Sequence, residues 1–347
     1  MWFLFAKHVG TFFIAFAFAF YLVPILADTA RKRGLIDEPD GKIKKQKRAV
    51  PYLGGVAVYL SFIISISLFS SCENNYFWLI LGGTWLLFIG LIDDLNPLRP
   101  RQKFFGQILA MLCFLKGGLA LKSNFFSFIL NLAGSGFWIL AVINAFNLVD
   151  VMDGLAVILA AIATAAFFIL AVCLGNFSLS ILLITFLGSL LGFFAYNKPP
   201  AKIYLGDAGS LLVGGFLATI PLLFPWSETL GRYSIIPDVV KGSYILQVLT
   251  ISLIPILLVG IPLLEVSSLI IVRIYHGIPV YLGSPHHFSS YLQNKGWSKR
   301  KILCFTGVKA MVMSSCALLF LFGFIPLWAL LFVLVAFSFV WFYSVFL

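Results

Sequence analysis

The sequence predicts an all-α polytopic membrane protein with about 10–11 transmembrane helices and its active-site loops gathered on the cytoplasmic face. Three observations carry this expectation. Of 347 residues, 61% are hydrophobic and only 11% are charged, against roughly 25% charged in soluble domains. Apolar runs close to the ~20 residues that a bilayer core demands recur from end to end. Basic residues concentrate in alternate loops, as the positive-inside rule requires. The composition excludes a soluble enzyme, a disordered tail and a nucleic-acid-binding domain. The net charge of +11 therefore belongs to topology and membrane lipids, with no nucleic acid as partner.

Spans are expected at 9–27, 51–70, 76–92, 104–121, 134–149, 154–174, 177–196, 208–224, 245–272, 303–322 and 324–346. Each is assigned as a helix because in lipid every backbone amide of a lone segment must be bonded within that segment. The first run follows Lys7 and His8, has no cleavage site and ends in Arg31-Lys32-Arg33, so it reads as a retained helix rather than a signal peptide. The stretch 123–133 is expected as a short surface helix, and the ninth run is long enough to tilt, kink or protrude. Cys72, Cys113, Cys173, Cys304 and Cys316 form no CxxC pair and read as buried small hydrophobes. The chain 1–347 reads as one integral membrane domain.

With eleven spans the loops alternate sides. One set (28–50, 93–103, 150–153, 197–207 and 273–302) holds 18 of the 24 basic residues and is expected to be cytoplasmic. Asp93, Asp94, Asp150, Asp153 and Asp207 fall on that same face, as do His276, His286 and His287. Carboxylates at helix mouths cost desolvation energy and normally mark a function. A topology drawn from basic residues alone thus gathers acids and histidines it never used.

Four loops carry the candidate chemistry. Asp93-Asp94, in Gly90-Leu-Ile-Asp-Asp-Leu-Asn-Pro97, suits a general base or a Mg²⁺ site; the bland alternative is a solvated helix cap. Asn147, Asp150 and Asp153 are spaced by three, which puts hard oxygen ligands on one face of a helical turn. Gly154 beside them allows close backbone approach. In Tyr204-Leu-Gly-Asp-Ala-Gly-Ser210, glycines flank Asp207 just before a helix N-terminus, whose unbonded N–H groups attract phosphate. Gly283-Ser-Pro-His-His-Phe288 offers His286 and His287, which suit a phosphorylated substrate better than a zinc site lacking nearby Cys. The first basic loop, Lys42 to Arg48, reads mainly as an anchor to anionic headgroups, with Lys47 near the span mouth able to contact phosphate. Together these form the equipment of Mg²⁺-dependent phosphoryl transfer, in which positioning and charge neutralisation dominate.

These motifs, running from Gly34-Leu-Ile-Asp-Glu-Pro-Asp40 to Ser284-Pro-His-His-Phe288, resemble those of the polyprenyl-phosphate N-acetylhexosamine-1-phosphate transferases. The resemblance implies transfer of a sugar 1-phosphate, with N-acetylglucosamine 1-phosphate the expected group, from a UDP-sugar to undecaprenyl phosphate with release of UMP. The implied cofactor is Mg²⁺, with Mn²⁺ as its substitute. The implied location is the bacterial plasma membrane, and a homodimer fits the family. By the same resemblance Asp93 and Asp94 form the family's aspartate pair, Lys103 steadies the pyrophosphate, and Asn147 and Asp207 hold the metal. Asp207 also joins the aspartate pair as a catalytic residue. Asp153 and Asp150 line the uracil pocket, Lys47 precedes the Pro-x-x-Gly-Gly motif, and His286 and His287 lie near sugar or phosphate. Val151 stands where the family usually has Gly, so the turn there is expected to differ. The pentapeptide-transferase branch, with three successive histidines, is the second enzymatic reading. A transporter is the reading from another class, disfavoured because its acids would sit near the bilayer midplane.

Overall fold

The computed structural model describes residues 2–37, 49–69, 74–122, 126–224, 252–279 and 286–346. Lys47 lies outside them, as do Cys72 and most of the first basic loop. The helices are α1 (Trp2–Lys32), α2 (Gly54–Phe69), α3 (Asn74–Leu95), α4 (Pro100–Lys116), α5 (Phe128–Val149), α6 (Leu155–Cys173), α7 (Phe177–Asn197) and α8 (Gly206–Thr219). After a helical segment Ser252–Leu258 come α9 (Gly260–Tyr275), α10 (Phe288–Asn294), α11 (Lys299–Leu321) and α12 (Leu327–Phe346). A two-stranded antiparallel ribbon pairs Ile36 with Pro51 and Asp37 with Val50.

Each of the eleven expected runs contains a helix. Among the described residues, 7 helices are long and apolar enough to cross a membrane, or 8 if the bent pair around Val259 counts as one span. The remaining runs fall short for separate reasons. The 16 residues of α2 rise only about 24 Å against a ~30 Å hydrocarbon core. At 17 residues and with Arg101, Lys103 and Lys116, α4 is both short and polar, and the 20-residue apolar α12 falls outside the count because only Leu327–Tyr343 of it is described in full.

Several boundaries move. Helix α4 starts at Pro100, whose missing N–H is costless in a first turn, and ends in Gly117-Gly118, with Gly118 at φ 76°. It therefore occupies 100–116 rather than 104–121. The surface helix expected at 123–133 does not stand alone: from Phe128 that stretch is the first turn and a half of α5, capped by Ser127 Oγ. The ninth run turns by 84° between Ser252–Leu258 and α9. The cysteines also differ from expectation, since Cys173 and Cys304 are exposed and Cys113 and Cys316 half-buried. Facing lipid costs an apolar thiol nothing, because lipid tails are as apolar as a core.

Helix α8 is the axis of the bundle. Every residue from Ala208 to Thr219 is buried, and α3, α5 and α2 pack around it. Small residues make this possible. A Cβ on Gly55 would lie 2.3 Å from the backbone of Gly209, and one on Gly90 would lie 2.3 Å from the Asp207 carbonyl. Close backbone approach of this kind drives helix association where no hydrophobic force exists between helices. Helices α1, α6 and α11 wrap the outside through α7 and α6, while α9 lies on α5 and α12 on α11.

Candidate active site

The site forms where the C-terminal ends of α3 and α5 meet the N-terminal ends of α4 and α8. Helix α3 ends in Asp93 and Asp94, which divide the work. Asp93 Oδ1 accepts the Leu98 amide at 2.6 Å and so turns the chain toward α4. Its Oδ2 is 2.8 Å from Lys103 Nζ. Asp94 reaches across to α8, where Oδ1 accepts the Asp207 amide at 2.8 Å and Oδ2 the Ala208 amide at 3.1 Å. A carboxylate from another helix thus caps the N-terminus of α8, which the helix dipole favours. Gly206, at φ 73°, is required there: a Cβ would come within 2.6 Å of Asp94 Oδ2.

Lys103 also lies 2.9 Å from Asp207 Oδ1, so one ammonium ties α3 to α8. Asn147, in the last turn of α5, donates from Nδ2 to Asp207 Oδ1 and, at 2.9 Å, to Ser210 Oγ. One turn back, Asn144 and Gln107 exchange amide bonds of 2.9 and 3.3 Å, fixing α4 against α5. Asp150 caps the C-terminal end of α5. Burial, followed by the Asp207, Asp94 and Asp153 carboxylates, holds its carboxyl well above the ordinary range.

Asp153 departs from the shared face expected of it. The helix stops at Val149, and the chain turns through Gly154 at φ 74° into α6. Asp153 therefore points away from Asn147 and Asp150, toward Lys299 Nζ at 2.9 Å and the Ala201 amide at 3.2 Å. Val151 does not obstruct this turn, because among the described residues Leu53 is the one non-glycine with positive φ. Gly154 takes the strained position instead.

His286 and His287 make no hydrogen bond to the aspartate cluster in the described residues. His287 Nδ1 lies 3.0 Å from Oε1 of Glu265, a fully buried carboxylate of α9 that also receives the Phe288 amide at 3.4 Å. The His286 ring stacks on His276 at 5.1 Å. Burial, then His276, Arg273 and His287, holds its imidazole below the ordinary range.

Sequence reasoning passed over Lys299 and Gln107, and gave no positioning task to Glu265, Asn144, Ser210 or the glycines of the Pro-x-x-Gly-Gly motif, Gly54 and Gly55. The N–H groups of Gly54 and Gly55 bond the Tyr204 and Leu205 carbonyls at 3.1 and 2.9 Å, and so set the loop that delivers Asp207. Polar residues inside apolar runs were the available signal for Glu265 and Gln107. Lys299 offered none, lying in a basic cluster that topology already explained.

Among the described residues, no three His, Cys, Asp or Glu side chains converge as a ready cation site. The donor chemistry nonetheless fits Mg²⁺. Asp93, Asp94, Asp150 and Asp207 outnumber Lys103, and Asp207 and Asn147 supply hard oxygens. Mg²⁺ characteristically takes only one or two protein carboxylates and completes its shell with substrate phosphates and water.

Comparisons with known proteins identify the family. Residues 76–224, which hold Asp93, Asp94, Lys103, Asn147, Asp150, Asp153 and Asp207, match the model of glycosyl transferase family 4. A probable undecaprenyl-phosphate N-acetylglucosaminyl 1-phosphate transferase of Bacillus subtilis is 27% identical over 85% of this chain and 79% of its own. Phospho-N-acetylmuramoyl-pentapeptide-transferases of Listeria monocytogenes (29% over 90% of this chain and 98% of its own) and Lactiplantibacillus plantarum (30% over 84% and 92%) are similar to the same extent. The chain is thus a multi-pass membrane protein of glycosyl transferase family 4, the polyprenyl-phosphate N-acetylhexosamine-1-phosphate transferases that its loop motifs resemble.

Proposed function

We propose that this protein transfers a sugar 1-phosphate, N-acetylglucosamine 1-phosphate in the first instance, from a UDP-sugar to undecaprenyl phosphate on the cytoplasmic face of a bacterial plasma membrane. An oxygen of the lipid phosphate attacks the sugar-bearing phosphorus. The bond to the bridging oxygen breaks, and UMP leaves with that oxygen. The observation that carries this is the Lys103 ammonium held between Asp93 and Asp207, 2.8 and 2.9 Å away, at the capped start of α8. With the first amides of α8 already taken by Asp94, this ammonium is the positive group that a substrate phosphate would meet among the carboxylates.

Each residue then has a task. Asp207 and Asn147 would hold Mg²⁺, which supplies neutralisation of the diphosphate charge as it shifts to UMP. Lys103 leaves Asp93 or Asp207 to steady the bridging oxygens. Asp94 keeps Asp207 aimed through the α8 amides, and Asp93 is the carboxylate free to receive the lipid phosphate's proton once Lys103 turns. Asp150 and Asp153 border the nucleoside end, with Lys299 fixing Asp153. His286 and His287 face the sugar or its phosphate, and Lys47 contributes from the first loop.

The pentapeptide donor is the second reading, favoured by the names of the Listeria and Lactiplantibacillus relatives and disfavoured by two histidines where that branch has three. Purified protein is given undecaprenyl phosphate and a panel of UDP-sugars, including UDP-N-acetylmuramoyl-pentapeptide, with Mg²⁺ or EDTA. Mg²⁺-dependent UMP release from UDP-N-acetylglucosamine, abolished by Asp207→Asn, is the expected result. Turnover of the pentapeptide donor alone would select the second reading, and folded protein inert with every donor would refute both.

A further inference from the structure

Away from the aspartate cluster, a crevice of about 530 Å³ separates α6 and the end of α7 from α11. Its walls are apolar, formed by Ile158, Ile162, Leu303 and Met311. Two cations, Lys198 and Arg300, line its upper end. Both stand where α7 ends and α11 begins, at the site's end of the bundle. Arg300 is held there by a 3.3 Å bond from Nε to the Pro199 carbonyl, which leaves the rest of the guanidinium to a ligand. The nearby carboxylate, Asp153, is already paired with Lys299.

From Arg300 to Met311 the crevice follows α11 for about 16 Å, at 1.5 Å per residue. That is half of a ~30 Å hydrocarbon core, the depth of one leaflet. Gly307 accounts for the hollow. It is buried inside a helix, where glycine is normally disfavoured by roughly 0.5–1 kcal/mol. A Cβ there would sit in ordinary contact with Ile158 and Ile162, each at 3.9 Å, so an alanine fits and a longer side chain would enter the crevice.

We infer that this crevice is a binding site for an anionic phospholipid, one acyl chain lying along α11 over Gly307 and the headgroup phosphate between Lys198 and Arg300. The charge pairing calls for a phosphate-bearing anionic head, and the one-leaflet depth fits an acyl chain rather than a longer polyprenyl tail. The site is separate from the proposed reaction, since none of its residues touches the aspartate cluster. It does brace the same end of the bundle: Lys198 and Pro199 lead into the segment where the Ala201 amide bonds Asp153.

Cys304 lies in this crevice and is exposed, which gives a native reporter. Full-length protein, delipidated in a neutral detergent, is labelled with N-ethylmaleimide while phosphatidylglycerol, phosphatidylcholine or undecaprenyl phosphate is added. Labelling of Cys304 is read by peptide mass spectrometry against Cys316, on the same helix but outside the crevice. Phosphatidylglycerol is expected to slow Cys304 labelling at about 25-fold lower concentration than phosphatidylcholine, taking roughly fivefold per basic residue. Lys198→Ala with Arg300→Ala should abolish that preference. Gly307→Leu should slow labelling without lipid and remove any further effect of phosphatidylglycerol; Gly307→Ala, which meets no clash, should leave protection intact and so controls for folding. Equal protection by both phospholipids would overturn the inference. So would protection by undecaprenyl phosphate alone, which would make the crevice a substrate site. Protection that rises with protein concentration in the absence of lipid would assign it instead to a second copy of the chain.

Discussion

Asp94→Asn separates two tasks that a carboxylate at this position could perform. In the wild type, Asp94 accepts two amides at the start of α8, at 2.8 and 3.1 Å. Hydrogen bonds to a charged group contribute about 1.5–3 kcal/mol each, and a negative charge at a helix N-terminus adds about 0.3–1 kcal/mol. Asparagine keeps one acceptor, loses the charge, and turns its NH₂ against the second amide. For a half-buried group the net loss is about 2–3 kcal/mol, or about 30- to 140-fold in the folding equilibrium at 1.4 kcal/mol per decade. Because the same amides aim Asp207, turnover should also drop by about 100-fold, the scale expected of a misplacement near 1 Å. Thermal denaturation in detergent micelles reads the first effect and UMP release the second. If Asp94→Asn melts with the wild type and yet is inactive, the carboxylate serves the reacting groups directly and the clamp described here is not its function.

The other predictions concern its neighbours. Lys103→Met leaves Asp93 and Asp207 without their shared ammonium, so UMP release should fall at least about 100-fold; thermal stability should also become dependent on added Mg²⁺, as a melt with and without EDTA would reveal. Glu265→Leu strands the His287 ring N–H and the Phe288 amide in a buried setting, a cost of about 1–3 kcal/mol for each group. Glu265→Gln keeps an acceptor for both and should melt close to wild type. Asp150→Asn should raise thermal stability at pH 7.5 when no divalent cation is present. The sign follows from a folded-state pKa held above the unfolded one: well below the ordinary carboxylate pKa, at about pH 2.5, the group is protonated in both states, and as pH rises through that pKa only the unfolded chain gains by ionising it. The advantage should therefore shrink as pH falls through about 4, vanish at about pH 2.5, and shrink at pH 7.5 when Mg²⁺ is added, as paired melts across that range would test.

Much of the fold was legible because hydrocarbon leaves the backbone so few options. Apolar runs located every long helix in the described residues, missing only the short α10 inside a loop, and the alternation of charge predicted that five aspartates share one end of the bundle. What stayed hidden depends on turns and on pairs distant in sequence. The spacing of Asn147, Asp150 and Asp153 suggested one continuous face, but the periodic argument assumes an unbroken helix, and α5 ends at Val149, before Asp150 and Asp153. The bend at Val259 falls inside one long apolar run, so hydropathy alone does not mark it, although Pro255, Gly260 and Pro262 flank it. The division of labour between Asp93 and Asp94 was equally invisible. Adjacent residues on a helix point about 100° apart, and only the position of α8 decides which meets an amide and which meets Lys103.

The ammonium between Asp93 and Asp207 has a bearing on how the protein is made. A cluster of bare carboxylates is an obstacle to membrane insertion and tight helix assembly. Here the compensating charge is part of the polypeptide and arrives with α4, three residues inside its first turn. Assembly of the bundle can therefore be completed on the chain's own resources. On the proposed mechanism magnesium would govern turnover and not maturation, and depletion of the ion should leave a full complement of intact protein in the membrane awaiting resupply.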